Sequence, residues 1–138
     1  NTVLEHIPRA IILAILREAK RVLALDGMMV HIIDPSDHFS HSDSSITSVN
    51  FLTYTDDEWK KLGGNRFMYH NRLRAPELLE IFEEAGVTIV RVEARVDEKA
   101  AVALQNGLPV SDKFAGKPIE DLATSEVCVL ARFDDPKR

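Results

Sequence analysis

The chain has 138 residues and a formal charge of −5 at pH 7, with 45% hydrophobic and 28% charged residues. This length fits one domain, and the composition argues against disorder, a collagen-like repeat or a coiled coil. The acidic balance argues against nucleic acid as a partner, because phosphate binding depends on Lys and Arg. No apolar run reaches the roughly 20 residues of a membrane-spanning helix. We therefore predict a protein that binds neither nucleic acid nor membranes.

Two features of the chain bear on its location and origin. Cys128 is the only cysteine, and a single thiol cannot form an intramolecular disulfide. This favours a reducing compartment, so we predict a cytoplasmic protein. The sequence begins at Asn1 without a methionine and enters a predicted helix within a few residues, which indicates a piece of a longer protein.

The first half of the chain predicts a helix, a strand and a long polar loop. Apolar residues recur at helical spacing over Arg9–Leu25, and Pro8 suits the first helical turn. Asp26-Gly27 separates this helix from Met28–Ile33, an apolar run typical of a strand that is buried on both faces. The polar stretch over residues 34–50 is longer than a plain connection, which predicts a functional loop.

The second half predicts further helical segments and two strands. Thr55 and Glu58 form a capping-box signature for a short helix that ends at Gly63-Gly64. The alternation over Thr88–Val96 predicts a half-exposed strand that pairs antiparallel. The remaining elements are helices over Pro76–Ala85 and Glu98–Leu104, a helical turn at Pro118–Leu122 and a strand over Ser125–Phe133. This order predicts an α/β fold with too few strands for a complete doubly wound sheet.

Three motifs stand in a fixed order along the chain. They are Leu4-Glu5-His6, a helix end Lys20-Arg21-Val22-Leu23 that leads to Asp26-Gly27, and Glu83-Glu84-Ala85-Gly86 ahead of a strand. In this order they resemble the second half of class I S-adenosylmethionine-dependent methyltransferases, over about residues 1–133. The resemblance implies a partial Rossmann-like methyltransferase fold with strands equivalent to the fifth, sixth and seventh, the seventh antiparallel beside the sixth. It also implies S-adenosylmethionine as the cofactor of the parent enzyme.

The glycines show what this chain does not contain. The family holds its cofactor with a Gly-rich turn after its first strand, in which glycines are one residue apart. No two of the six glycines in this sequence have that spacing. We therefore predict that residues 1–133 are the C-terminal part of a methyltransferase domain that lacks the Gly-rich half and is inactive alone, followed by a tail at 134–138. Without a fourth strand, Met28–Ile33 would be a bare edge, which predicts a homodimer through that edge or through the apolar helix face.

Candidate site residues follow the first strand and the short central helix. Ligands bind outside the carboxyl ends of strands in open α/β sheets, and methyl transfer needs a group that takes a proton from the acceptor. We predict His38 as the general base, since imidazole titrates near neutrality, with Asp37 orienting it. The predicted residues for a small-molecule or glycan-like acceptor are Asp34, His41, Tyr69, His70, Asn71 and Arg72, whose amide, imidazole and guanidinium groups suit polar recognition. The resemblance implies that Asn1 and His6 border the methionine end of the cofactor.

Several alternatives stand beside these predictions. Residues 34–37 could be turn chemistry alone, and His31, in mid-strand, favours a satisfied core residue. Asp37, His38, His41 and Asp43 could ligate a metal in a metal-dependent hydrolase, but none of their spacings is diagnostic of zinc, and we predict no metal. The other alternative function is a non-catalytic dimerising interaction domain with the same fold.

Overall fold

The computed structural model describes residues 2–65 and 68–134 and shows a mixed α/β architecture, as predicted. Short 3-10 turns lie at Leu4–His6, His38–His41 and Asn50–Thr53. The helices and strands are α1 (Arg9–Val22), β1 (Met29–Ile33), α2 (Asp56–Gly63), β2 (Gly64–Asn65), β3 (Met68–Tyr69), α3 (Ala75–Glu84), β4 (Thr88–Val96), α4 (Glu98–Gln105), α5 (Ile119–Ala123) and β5 (Thr124–Arg132). No helix in these two ranges has the length and apolar character to cross a membrane.

The main sheet has the strand order β1-β5-β4, with β5 antiparallel to both neighbours. The β1–β5 register runs from Met29↔Ala131 to Ile33↔Val127. The longer β4–β5 ladder contains two register shifts, between Ile89 and Arg91 and between Arg95 and Val96. The prediction that the last strand pairs antiparallel with the strand before it is confirmed, whereas a Rossmann-like sheet stays a prediction.

Two apolar clusters form the core. The first packs α1 and α3 against one face of the sheet; its fully buried members are Ile12, Leu16, Ile33, Leu78, Ile81, Phe82, Val127, Val129 and Ala131. The second joins the long loop to α2, α4 and α5 through Val49, Phe51, Leu52, Trp59, Ala100, Phe114, Leu122 and Ala123. The buried residues recur at helical spacing in α3 and at every second position in β5, which is why each of these elements buries a single face.

The prediction that the first strand is buried on both faces is wrong. Met29 and Ile33 are buried, but Val30 and Ile32 on the opposite face are 56% and 39% exposed. In the described part of the chain, β1 pairs only with β5, and α1 and α3 lie on the side of Met29 and Ile33. The outer edge of β1 is therefore open, in line with the bare edge expected from the sequence.

The capping signals located helix ends more accurately than the apolar pattern of the longest helix did. Thr55 and Glu58 form the predicted capping box, with the Thr55 side chain and the Glu58 side chain each bonded to the other's backbone N–H. By contrast, α1 ends at Val22 rather than at Leu25, because Leu23 is already extended, with φ −71° and ψ 141°. The antiparallel pairing of β2 with β3 was not predicted.

Candidate functional site

Four histidines from three separate segments meet beyond the carboxyl end of β1. We call His6, His38, His41 and His70 the histidine cluster. The His38 ring centroid lies 4.9 Å from that of His6, 4.9 Å from that of His41 and 5.2 Å from that of His70. These residues come from the turn before α1, the loop after β1 and the segment after β3. The polar loop and the polar segment singled out in the sequence thus converge at one place.

Asp34 is the carboxylate that faces two members of the histidine cluster. Its Oδ2 lies 3.5 Å from Nε2 of His38 and 3.8 Å from Nε2 of His41, which are ion-pair distances rather than well-formed hydrogen bonds. Its Oδ1 accepts hydrogen bonds from the backbone N–H and the hydroxyl of Ser36. Burial opposes ionisation of Asp34, but His38 and Ser36 together hold its pKa well below the ordinary value. The carboxylate raises the pKa of His38 in turn, against the opposing effect of burial.

Asp37 has a different position from the one predicted for it. Its carboxylate accepts a hydrogen bond from the backbone N–H of Phe39 at 2.9 Å, so it caps the turn that carries His38. Burial raises the pKa of Asp37, although hydrogen bonds to its carboxylate oppose the shift. The carboxylate that lies at ion-pair distance from His38 is therefore that of Asp34, and Asp37 shapes the backbone beside it.

Glu5 is a site residue that the sequence analysis did not single out. Its side chain is only 1% exposed, and neither carboxylate oxygen has a hydrogen-bond partner among the described residues. Oε1 lies 3.7 Å from Nε2 of His6. Burial raises the pKa of Glu5, while His6 and His38 act in the opposite direction. A signal was present in the sequence, because Glu5 is the central residue of the Leu-Glu-His motif.

Asn71 holds the turn that carries Glu5 and His6 in place through hydrogen bonds to its backbone. Its side-chain amide donates to the backbone carbonyls of Leu4 and Ile7, each at 2.8 Å. Its backbone N–H donates to the carbonyl of Glu5 at 2.9 Å. Asn71 was predicted to bind substrate, but these contacts make it a positioning residue for the Leu-Glu-His turn.

His70 is buried and held neutral. Burial, together with the neighbouring charges of His38, His6 and Arg74, lowers its pKa to about 3. Nδ1 of His70 accepts a hydrogen bond from the backbone N–H of Arg72 at 3.2 Å, so we assign the ring proton to Nε2, which has no partner in the described structure. The His70 carbonyl accepts from the indole N–H of Trp59 at 3.0 Å. His70 thus keeps a buried ring N–H that is unpaired in the described structure.

Arg72 is not free to bind a substrate. Its guanidinium donates to the carbonyls of Phe51 and Tyr54 and pairs with Asp56. It also lies over the rings of Trp59 and Phe114, 5.5 and 5.3 Å from their centroids. With a side chain 1% exposed and a backbone φ of +57°, Arg72 is held in place by the second apolar cluster.

The other predicted residues are distributed as follows. The carbonyl of Tyr69 accepts a hydrogen bond from Nδ1 of His6 at 2.8 Å, and burial raises the pKa of the Tyr69 phenol. Asn1 lies outside the described residues. His31 packs its ring 5.3 Å from that of Phe82, as a core residue would, but its Nδ1 has no partner among the described residues, so it is not a satisfied one. Asp43 is exposed and bonds Ser45.

Two cavities adjoin the histidine cluster. The smaller holds about 100 Å³ and is lined by His6, Asp37, His38, Phe39, Trp59 and His70. The other, of about 340 Å³, lies on the far side of Trp59 and includes Lys60, Tyr69, His70, Asn71 and Lys113 in its wall. His70 and Trp59 therefore separate a tight pocket from a wider, polar one.

Within the described residues, one set of side chains can bring three ligating atoms together. These are Glu5, His6 and His38, whose ligating atoms all lie within 4.8 Å of one another. The alternative set from the sequence, built on Asp37, His41 and Asp43 with His38, is not assembled as a group of that kind. The group that could hold a cation therefore joins two residues of the Leu-Glu-His turn to one residue, His38, of the loop after β1.

Comparison with known proteins adds no family to this description. No protein-family model, no curated protein and no solved structure matches the chain. The functional argument therefore depends on the geometry and on the motifs themselves.

Proposed function

We propose that this chain forms the acceptor-binding side of an S-adenosylmethionine-dependent methyltransferase that acts on a small-molecule or glycan-like hydroxyl. The observation that carries the proposal is the 4.9 Å separation between the rings of His6 and His38. The resemblance implies that His6 borders the methionine end of the cofactor. His38 is the residue predicted to take the proton from the acceptor. Methyl transfer needs these two sides to meet, since the reacting atoms must approach to about 3–3.5 Å.

The chemistry requires little from the protein beyond alignment and a proton acceptor. S-adenosylmethionine, with His6 at its methionine end as the resemblance implies, would supply the methyl group, which would go to the acceptor oxygen while the bonding pair stayed on the departing thioether sulfur. The hydroxyl proton passes to His38. The Asp34 carboxylate, 3.5 Å from Nε2, stabilises the imidazolium that forms.

The surroundings of His38 suit a polar acceptor. His70, a neutral imidazole whose buried Nε2 has no hydrogen-bond partner in the described chain, lines both cavities. The wider cavity beyond Trp59 has Lys60 and Tyr69 among its lining residues, and it has room for a further part of the acceptor. An apolar acceptor would leave these groups unpaired, which carries a cost in free energy.

The test is methyl transfer by this chain together with whatever residues precede Asn1 in its open reading frame. The protein is incubated with S-adenosylmethionine and a panel of mono- and oligosaccharides and small hydroxylated compounds, and methylated products are found by mass spectrometry. With the best acceptor, His38→Ala should lower kcat about 100-fold or more, the range for loss of a general base. Affinity for S-adenosylmethionine should stay the same.

The matched control is Ser42→Ala, an exposed residue at the end of the same turn, which should keep wild-type kcat. Absence of transfer to every acceptor would count against the proposal. So would a His38→Ala variant that keeps wild-type kcat, because the acceptor proton would then leave by another route.

The open edge of β1 favours a second, non-exclusive function in self-association. Val30 and Ile32 on β1, with Ile11 and Ile15 on α1, are exposed apolar residues, and the outer edge of β1 pairs with no strand in the described chain. We propose that a second copy pairs along this edge, because a two-fold axis lets one strand meet itself antiparallel. Light scattering at micromolar concentration should give the mass of two chains, and the mass of one chain would contradict the proposal.

A further inference from the structure

The buried carboxylate of Glu5 accepts no hydrogen bond from any residue that the structure describes. Both oxygens lack a hydrogen-bond partner in residues 2–65 and 68–134, although the side chain is only 1% exposed. Buried carboxylates are normally paired, hydrogen-bonded or metal-bound, since a lone buried charge is costly. The groups that share its surroundings are His6, whose Nε2 lies 3.7 Å from Oε1, and His38.

The hydrogen bonding of His6 leaves one ring nitrogen free for a ligand. Nδ1 lies 2.8 Å from the carbonyl oxygen of Tyr69, and a carbonyl can only accept, so Nδ1 carries the ring proton. Nε2, on the side of Glu5, therefore holds a lone pair when the ring is neutral. A bond from the second ring nitrogen to a backbone carbonyl is the usual support of a metal-binding histidine.

The three groups are also held firmly by their neighbours. The amide of Asn71 fixes the backbone on both sides of the Leu-Glu-His turn, and Asp37 caps the turn that carries His38. The carboxylate of Asp34 lies at ion-pair distance from His38, as a carboxylate that orients a ligating imidazole does. The arrangement thus has both candidate ligands and the supporting contacts that a metal site requires.

We infer that Glu5, His6 and His38 form a binding site for a divalent transition-metal ion of the Zn²⁺ type. One carboxylate and two imidazoles are a common protein ligand set for Zn²⁺ sites that keep an open position. Ligands at about 2.0–2.2 Å in a tetrahedron stand about 3.4 Å apart, so atoms that now lie within 4.8 Å of one another would draw together on binding. The open position would face the cavity of about 100 Å³ that His6 and His38 line.

This inference goes beyond the proposed function and stands without it. A nitrogen of His38 that binds a cation cannot accept a proton at the same time, so the loaded site and the proton-accepting site are alternative states. A hydroxyl bound at the open position would be acidified by the cation itself. Metal binding by this chain is measurable whether or not methyl transfer occurs.

The rival explanation of Glu5 is a neutral carboxylic acid with no ligand. The two explanations differ in what the cluster does with added metal. A neutral acid predicts no stoichiometric uptake, and it predicts that removal of Glu5 does not alter metal affinity. A metal site predicts one equivalent and a large loss of affinity.

The experiment is titration calorimetry of the 138-residue chain with Zn²⁺, supported by competition with a chelating indicator. The wild-type chain should bind one equivalent, and both Glu5→Gln and His6→Ala should weaken binding about 100-fold or more, since even supporting-residue replacements cost about 10- to 100-fold. Ser42→Ala is the matched control, because Ser42 is an exposed residue at the end of the turn that carries His38 and is not in the ligating group; the affinity of this variant should stay within about threefold, a change far below that of a lost ligand. Mg²⁺, which prefers oxygen ligands, should bind more weakly than Zn²⁺.

Folding of each variant is checked by circular dichroism and by the fluorescence of Trp59. His6 is an exposed side chain, so His6→Ala tests the site even where Glu5→Gln unfolds. Less than 0.1 equivalent of Zn²⁺ on the wild-type chain, where about one is expected for a three-ligand site, would overturn the inference. Equal affinity in wild type and His6→Ala, or a loss in Ser42→Ala as large as that in His6→Ala, would overturn it as well.

Discussion

Arg74 and Glu5 both carry ionisable side chains that are 1% exposed, yet their surroundings differ completely. The guanidinium of Arg74 donates to the carbonyls of Pro35, Asp121 and Thr124. Glu5 has a carboxylate without hydrogen-bond partners in the described chain, beside two imidazoles. Although burial lowers the pKa of Arg74 to about 10, the guanidinium stays charged at neutral pH and ties three segments together.

The contrast between Arg74 and Glu5 distinguishes buried polar groups that stabilise the fold from buried polar groups that serve a site. A buried polar group whose bonding capacity is filled by the backbone specifies the fold, because its removal leaves the partners unpaired. A buried polar group without hydrogen-bond partners lowers the free energy of unfolding, and such a group is retained where a binding or catalytic site needs it. The buried arginines of this chain belong to the first kind, and Glu5 with the histidine cluster belongs to the second.

The largest expected change in stability follows from replacing Arg74, whose guanidinium nitrogens all donate hydrogen bonds. Arg74→Met removes the donors of two buried carbonyls and one partly buried carbonyl. Each buried loss costs about 1–3 kcal/mol, so the free energy of unfolding should fall by at least about 2 kcal/mol. Urea denaturation followed by Trp59 fluorescence measures it. The control is Arg91→Met on β4, an exposed partner of Glu93, which should change stability by less than about 0.5 kcal/mol. Similar losses of stability for both variants would contradict the conclusion that the buried hydrogen bonds of Arg74 stabilise the fold.

Replacement of Glu5, whose carboxylate lacks partners in the described chain, should raise the free energy of unfolding. Glu5→Met keeps the approximate shape and removes a buried carboxylate without partners, so the free energy of unfolding should rise by about 1 kcal/mol in the absence of metal. The same denaturation assay, run with a chelator present, measures the change. A loss of more than about 2 kcal/mol would mean that Glu5 holds the fold through bonds of its own.

A smaller effect concerns Glu77, at the start of α3. Burial opposes the shift, but the backbone N–H of Arg74 and the amine of Lys117 hold the pKa of Glu77 below its ordinary value. A carboxyl with a lowered pKa in the folded state stabilises the protein above its unfolded pKa, and this stability is lost as the pH falls through the folded value. Because both side chains are half-buried, the pair should contribute under about 1 kcal/mol.

The check is the difference in unfolding free energy between wild type and Glu77→Gln at pH 7 and at pH 3. The difference should shrink in acid, where the wild-type carboxyl takes up its proton. Glu80→Gln, an exposed position on the same helix, serves as the control. A difference that grows as the pH falls would mean that folding raises the pKa of Glu77 instead of lowering it.

Local patterns in the sequence predicted the elements well, and the site only in part. The capping box at Thr55, the bounds of Thr88–Val96 and the polar loop after β1 all follow from residues close together in the chain. The role of Arg72 could not be predicted, because its partners come from residues 16 to 21 positions away.

Long-range contacts also explain the other differences. Glu5 joins the cluster only because Asn71, more than 60 residues later, fastens the turn that carries it. Asp34 rather than Asp37 faces His38, because Asp37 is used to cap the backbone of that turn. An apolar run such as Met28–Ile33 predicts a strand but not how many of its faces are covered, which depends on elements elsewhere.

The most direct test of the proposed metal site is an anomalous diffraction map of crystals grown with Zn²⁺. We expect a zinc peak bonded to Glu5, His6 and His38 at about 2.0–2.2 Å, with the Nδ1–H of His6 still donated to the Tyr69 carbonyl. A map without a peak at that position, with the Glu5 carboxyl hydrogen-bonded to protein groups instead, would contradict the account.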